Sequence, residues 1–233
     1  MSKEIQRIGR MLFQEGLLDS HGGSLSVRQD DKILITRANA MLGDLSEDDI
    51  VEVGLEPGSS DEQATFELIV HRAIYKQAKA QAIVHARPAA AIAISLTDNK
   101  IVPQDTVGLT LYKAAPIVRV RSGNNSDEIA RLLPSFLGTE NVIAVVKGYG
   151  SFAVGQNLEE AYKYTSSLEV SCKILVAVRS SGGRPAPQRD RIERGDRLGR
   201  NDRLGRNDRG GRKTPGAIPP GIGVMDRSRN RGR

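Results

Sequence analysis

The sequence predicts an α/β domain of three layers (α/β/α) with a mixed, largely antiparallel central sheet. Three observations carry this. Strand-like segments occur in hairpin pairs as well as singly. Amphipathic helical segments are interleaved with them. The apolar periodicity then stops near residue 179, which bounds a folded domain at 1–179 and leaves 180–233 as a separate arm.

The elements follow in order. Residues 3–17 carry Ile5, Ile8, Leu12 and Phe13 at helical spacing, with Gly16 near the stop. Residues 22–36 alternate around "QDDK" and predict a hairpin, and "DIVEVGL" (49–55) predicts a third strand. "EPGSSDEQ" is expected to be a loop, and 62–79 a helix with Phe66, Ile69, Val70, Ala73 and Ile74 on one face. "AIVH" (82–85) reads as a buried strand. The helix over 87–96 that follows has Pro88 in its first turn. "APIVRV" (115–120) is another strand. Asn125 with Glu128, and Asn157 with Glu160, are capping patterns that open two further helices, the second over 157–178. Between those helices, 141–155 predicts two strands around a glycine-flanked turn.

Charge divides at the same boundary. Residues 1–178 hold 18 Lys+Arg and 22 Asp+Glu, net −4; residues 179–233 hold 16 and 6, net +10. The basic character therefore belongs to the arm. Three consecutive hexapeptides, "GDRLGR", "NDRLGR" and "NDRGGR" (195–212), dominate it. Such a segment has too little apolar surface to order itself, so disorder is expected. The arm suits either simple solubilisation or weak association with polyanions. One cysteine, Cys172, excludes an intrachain disulfide and suits a reducing compartment. No apolar run reaches the roughly 18 residues of a membrane span. The N-terminus lacks the apolar region of a secretory signal. Cytoplasmic placement is the expectation.

Four stretches together resemble the class II aldolase/adducin family: "GLLDSHGGSLSVRQDDKILIT" (16–36), "DIVEVGLEP" (49–57), "FELIVHRAIYKQAKAQAIVHARP" (66–88) and "VIAVVKGYGSFAVGQNLEEAYKYTSSLE" (142–169). They occur in the family's order. The resemblance implies a zinc-type ion held by three histidines, two from an H-x-H at a strand end and one from an H-G turn, with a helix glutamate as acid/base. On this chain the H-x-H falls on His85 and Arg87, the H-G on Tyr149-Gly150, and the glutamate on Glu67, four residues before His71. One histidine of three is kept. A guanidinium has no lone pair to give and is always protonated, so it repels a dication. Three protein ligands are usual for a catalytic zinc. His71 is expected to pack, and His21 to lie in the glycine turn away from the site.

The family's phosphate-binding positions fall on Gly23-Ser24, Ala38-Asn39 and Thr65-Phe66, with Ser59-Ser60-Asp61 competing for the last. The candidate site is therefore Glu67, Tyr149 and Lys147 for acid/base chemistry, Ser24, Asn39, Thr65 and Arg87 for substrate, and His85 as the single surviving metal-ligand position. Each has a plainer reading: His85 a structural histidine, Arg87 and Lys147 solvated charges, Glu67 a surface carboxylate, Tyr149 a turn aromatic. The sharper expectation is that Arg87 stands where the cation stood and pairs with Glu67. Two functions follow. One is a family member with a lost zinc triad that works by binding or has been repurposed, needing no cofactor. The other is a divergent sugar-phosphate aldolase or epimerase using Glu67, with zinc or another divalent metal if the family chemistry is kept. A small phosphorylated sugar or other anion is the expected ligand, and a homo-oligomer the expected assembly, by resemblance alone.

Overall fold

The computed structural model describes residues 1–121 and 125–183. Its eight strands are β1 (Ser24–Gln29), β2 (Lys32–Thr36), β3 (Ile50–Gly54), β4 (Ala82–Ala86), β5 (Lys100–Ile101), β6 (Ala115–Val118), β7 (Ile143–Val146) and β8 (Gly150–Gly155). They form one sheet of order β3-β2-β1-β4-β8-β7-β6-β5. Every neighbouring pair is antiparallel except β6 with β7. The six helices are α1 (Ser2–Gln14), α2 (Leu68–Gln77), α3 (Ala89–Thr97), α4 (Thr106–Leu111), α5 (Ser126–Leu132) and α6 (Leu158–Ser180). The arm beyond residue 183 lies outside the described residues, and with it the expectation of disorder.

Alternation of side chains along the strands makes two cores. Ile5, Ile8 and Leu12 of α1, Ile94 of α3 and Leu168, Cys172 and Leu175 of α6 pack with Leu25, Val84 and Val145 on one sheet face. Val70, Ile74 and Tyr75 of α2 and Ile129 of α5 pack with Ile33, Ile83, Ala144 and Phe152 on the other. The three-layer expectation is met.

Three details differ from the sequence reading. The segment Ser59–Gln63 is a 3-10 helix rather than an open loop, and α2 starts only at Leu68. Between the two, Ala64 is extended and bridges Arg37, with the Thr65 N–H on the Thr36 carbonyl and the Ala38 N–H on the Gln63 carbonyl, and Arg72 binds both oxygens of Asp61, at 2.5 and 2.7 Å, and the Gly54 and Glu56 carbonyls. The pairing of 63–65 with 36–38 takes the backbone groups that a longer helix would use. Residues 98–114, left unassigned by periodicity, contain β5 and α4, the latter capped by the Asp105 carboxylate on the Gly108 N–H. The Asn125 and Asn157 caps form as expected on the N–H groups of Glu128 and Glu160. The two glutamates, however, accept from Arg121 and Gln156 instead of closing the box.

Candidate functional site

A small cavity of about 170 Å³ opens where the C-terminal end of β4, the turn before β1, the start of α2 and the β7–β8 turn meet. Its lining includes His21, Arg37, Asn39, Thr65, Phe66, Glu67, His85, Arg87 and Tyr149.

Strand register builds the wall. His85 lies opposite Phe152 of β8 and Ser24 of β1. Its ring is parallel to Phe152 at 4.2 Å between centroids and stacks on Tyr149 at 5.1 Å. Two glycines make room for it. At Gly150 a Cβ would lie 2.4 Å from the Ala86 carbonyl and 3.0 Å from His85 Nε2, and at Gly23, with φ +98°, it would lie 2.7 Å from the His85 carbonyl. The β4 chain then continues into Arg87, whose N–H donates to the Leu17 carbonyl.

Glu67 is the N-cap residue of α2. One carboxylate oxygen accepts from the Tyr149 hydroxyl at 2.5 Å and the other from the Thr65 hydroxyl. Burial pushes this carboxyl up, but adjacent His85 and the two hydroxyls outweigh it and hold the group below its usual value. Tyr149 is pushed up by burial and by Glu67, so its phenol stays protonated and donates. Burial drives His85 down to about 4 against the opposing pull of Glu67, so the imidazole is neutral at pH 7. Its Nδ1 lies 3.9 Å from Glu67 Oε1, too far for a hydrogen bond. Both its ring nitrogens are buried without a partner among the described residues.

Arg87 does not pair with Glu67, as the sequence reading expected. It pairs with Asp19 on the chain before the glycine turn, Nε to Oδ2 3.2 Å. Ser24 is also reassigned. Its buried hydroxyl bonds to His71 Nε2 at 2.9 Å, behind the cavity, while Ser26 binds His71 Nδ1 at 2.7 Å and the Tyr75 hydroxyl at 2.7 Å. Burial holds His71 neutral, down to about 3. Lys147 is outside the cavity lining; its N–H donates to the Val118 carbonyl in the sheet extension. Thr65, not Ser59 or Ser60, reaches the cavity, because the 3-10 turn carries the serines away. Asn39 reaches it in a left-handed conformation, φ +59°.

His21, expected to lie away from the site, lines the cavity, and so does Arg37, which was not identified from sequence as a site residue. His21 precedes the two glycines that bend the chain over β4, and that adjacency was the available signal. Arg37 directly follows the hairpin and had no signal beyond its position next to Ala38-Asn39.

The donor inventory for a metal is short, even with His21, which lines the cavity and bonds Ser20 Oγ through Nδ1 at 2.9 Å. His85 offers one imidazole lone pair and Glu67 a carboxylate already holding two hydroxyls. Tyr149 would first have to lose its proton, and Arg87 has no lone pair. Among the described residues, no group of three His, Cys, Asp or Glu side chains is arranged to hold a metal ion. The residues present do not fit a three-ligand zinc centre.

Residues 3–176 match the family described as Class II Aldolase and Adducin N-terminal domain. The chain is 28% identical over 178 residues to L-fuculose phosphate aldolase of Methanocaldococcus jannaschii, covering 75% of this chain and 94% of that protein. It is 28% identical over 167 residues to alpha-adducin of Rattus norvegicus, covering 67% of this chain and 22% of that protein. Among solved structures, L-fuculose-1-phosphate aldolase from Thermus thermophilus superposes with a TM-score of 0.70 at 32% identity, over 79% of this chain and 97% of that one.

Proposed function

Because the chain belongs to the class II aldolase/adducin family, we propose that it is a member in which the zinc triad has been lost and the cavity has been repurposed to bind a small anionic ligand, such as a phosphorylated sugar, without a metal. The observation that carries this is the state of the four positions where the family chemistry sits. Glu67 is held by two hydroxyl donors, Tyr149 is one of those donors, Arg87 is a fixed cation, and His85 alone keeps a free lone pair. The two hydroxyls orient the Glu67 carboxylate toward Thr65 and Tyr149. A cavity edged by Arg37 and Arg87 favours an anion instead. The cavity, of about 170 Å³ and open to solvent, has room for a phosphate or carboxylate with a few carbons attached.

Calorimetric titration with a three-carbon sugar phosphate, with and without EDTA, tests the reading. Binding unchanged by chelation is expected. Binding that vanishes with EDTA and returns with zinc would overturn it.

A second reading rests on one specific observation: Glu67 is ionised inside the cavity, 3.9 Å from a neutral imidazole that has no partner. In that reading the chain is a divergent aldehyde-lyase or epimerase with Glu67 as acid/base. An aldol-cleavage assay separates the two. Turnover lost in Glu67→Gln would favour this one.

We further propose a homo-oligomer. The support is a cleft of about 1100 Å³ between α4 and α6, where Val107, Val170 and Ile174 are exposed. No helix among the described residues is long and apolar enough to cross a membrane. The basic arm is proposed to bind polyanions weakly.

A further inference from the structure

We infer that Asp19 is a resident counter-ion that an incoming anion must displace from Arg87, so that the cavity becomes cationic only when it is being filled. The inference rests on the anion-binding reading above and specifies how that site is regulated. It starts from the ion pair of Arg87 with Asp19, which sits at the cavity edge with Arg87 lining the cavity and Asp19 outside it.

Charge decides the consequence. With His85 neutral, the fixed charges lining the cavity are Arg37 and Arg87 against Glu67, with Asp19 paired to Arg87 at the edge and Asp49 outside the lining within electrostatic reach of Arg37. Asp19 offsets the charge of Arg87. Glu67 cannot withdraw, since Thr65 and Tyr149 hold both its oxygens. Asp19 can, because its side chain is 60% exposed and that of Arg87 38%. Its departure leaves the charge of Arg87 uncompensated at the cavity. A phosphate dianion then brings two charges to the position that one carboxylate held. An exposed ion pair of this kind holds by no more than about a fivefold equilibrium preference, so a small anion can compete with it.

The glycine turn fixes the arrangement. A Cβ on Gly22 would lie 2.4 Å from Asp19 Oδ1 and 2.5 Å from Arg87 Cδ, so the backbone at Gly22 closes directly on the pair. The same carboxylate is within electrostatic reach of the cavity interior, since Asp19 and Arg87 pull the His85 imidazole in opposite directions. Asp19 therefore acts on anion affinity without touching the ligand. It also sets a charge threshold: a monoanion only replaces Asp19, whereas a dianion gains on it.

The experiment is titration of the full chain with inorganic phosphate at pH 7.5. The native protein is compared with Asp19→Asn, Asp19→Glu, Arg87→Met and the double variant Asp19→Asn/Arg87→Met. The arginine-rich arm is common to all five, so the Arg87→Met background measures its contribution. The expected result is affinity about two- to fivefold higher in Asp19→Asn than in the native protein. Asp19→Glu should stay near native, and the gain should disappear in the double variant. Equal affinity of native and Asp19→Asn, with binding still lost in Arg87→Met, would overturn the counter-ion role and leave the anion site standing. A gain that persists in the double variant would also overturn it. Failure of all five to differ would overturn the anion site itself, and the counter-ion role with it.

Discussion

Replacing Tyr149 by Phe removes one hydroxyl and leaves the ring that stacks on His85 at 5.1 Å. The hydroxyl donates to Glu67 at 2.5 Å, and the Glu67 side chain is 13% exposed. A hydrogen bond to a charged group contributes about 1.5–3 kcal/mol. Water entering from the cavity replaces part of it, which places the expected loss near the lower end, about 1.5–2 kcal/mol at pH 7. At 1.36 kcal/mol per unit this raises the Glu67 pKa by about one unit or slightly more. The sign is fixed by linkage. Glu67 has a depressed folded pKa, so its contribution is present above the unfolded carboxyl value and is lost as pH falls through the folded one. The difference between native and Tyr149→Phe should therefore be full at pH 7 and narrow as pH falls through the depressed native Glu67 pKa, below which the carboxyl is protonated in both. Calorimetry should show a melting point lower by about 3–8 °C for a chain of this size. Carbon-13 NMR of the Glu67 carboxyl, assigned by Glu67→Gln, reads the titration directly. A variant that melts within a degree of native at pH 7, with Glu67 titrating unchanged, would refute the reasoning that Tyr149 has taken over the carboxylate.

Further outcomes follow from the same geometry. Arg87→His with Tyr149→His places imidazoles at both lost positions beside His85; zinc should bind the double variant by calorimetry, and a folded variant with no zinc affinity would mean that the surrounding shell no longer orients those positions. His85 and His71 have folded pKa values of about 4 and 3, below the ordinary 6.5. Their contribution is complete above pH 6.5 and lost as pH falls toward 4 and then 3, by up to about 3 kcal/mol for His85. Chemical denaturation at pH 7 and pH 5 should show about 2 kcal/mol of the His85 loss, and equal midpoints would contradict it. Removal of residues 184–233 should abolish retention on heparin, which in the full chain should fade steeply with salt. Retention by the truncated chain would place the basic surface elsewhere.

Much of the fold was legible because its signals are local. Alternation over 22–36 fixed the first hairpin, and Asn125 and Asn157 marked helix starts through short side-chain bonds to backbone three residues on. Residues 98–114 were not legible. Helix α4 spans only six residues and contains Gly108, which local propensity counts against a helix. The reason for that glycine is tertiary: a Cβ there would lie 2.4 Å from Ser171 Oγ on α6. The delayed start of α2 has the same character, since residues 63–65 pair with the chain at the end of β2. At the site, the family positions placed Glu67, His85, Arg87 and Tyr149 together, as the cavity has them. The partner of Arg87 was misjudged. Asp19 precedes it by 68 positions, and which carboxylate a long cation selects depends on how the Gly22 turn folds over β4. Ser24 was misassigned for a related reason. Alternation puts its side chain on the His71 face of the sheet, where the buried imidazole takes its hydroxyl.

The central claim is that a cation-edged, metal-free cavity has replaced a zinc centre. Elemental analysis of the full chain, purified without chelators from zinc-supplemented culture, tests it most directly. The account predicts zinc well below one ion per chain; a stoichiometric ion that leaves when His85 is changed to Ala would contradict it.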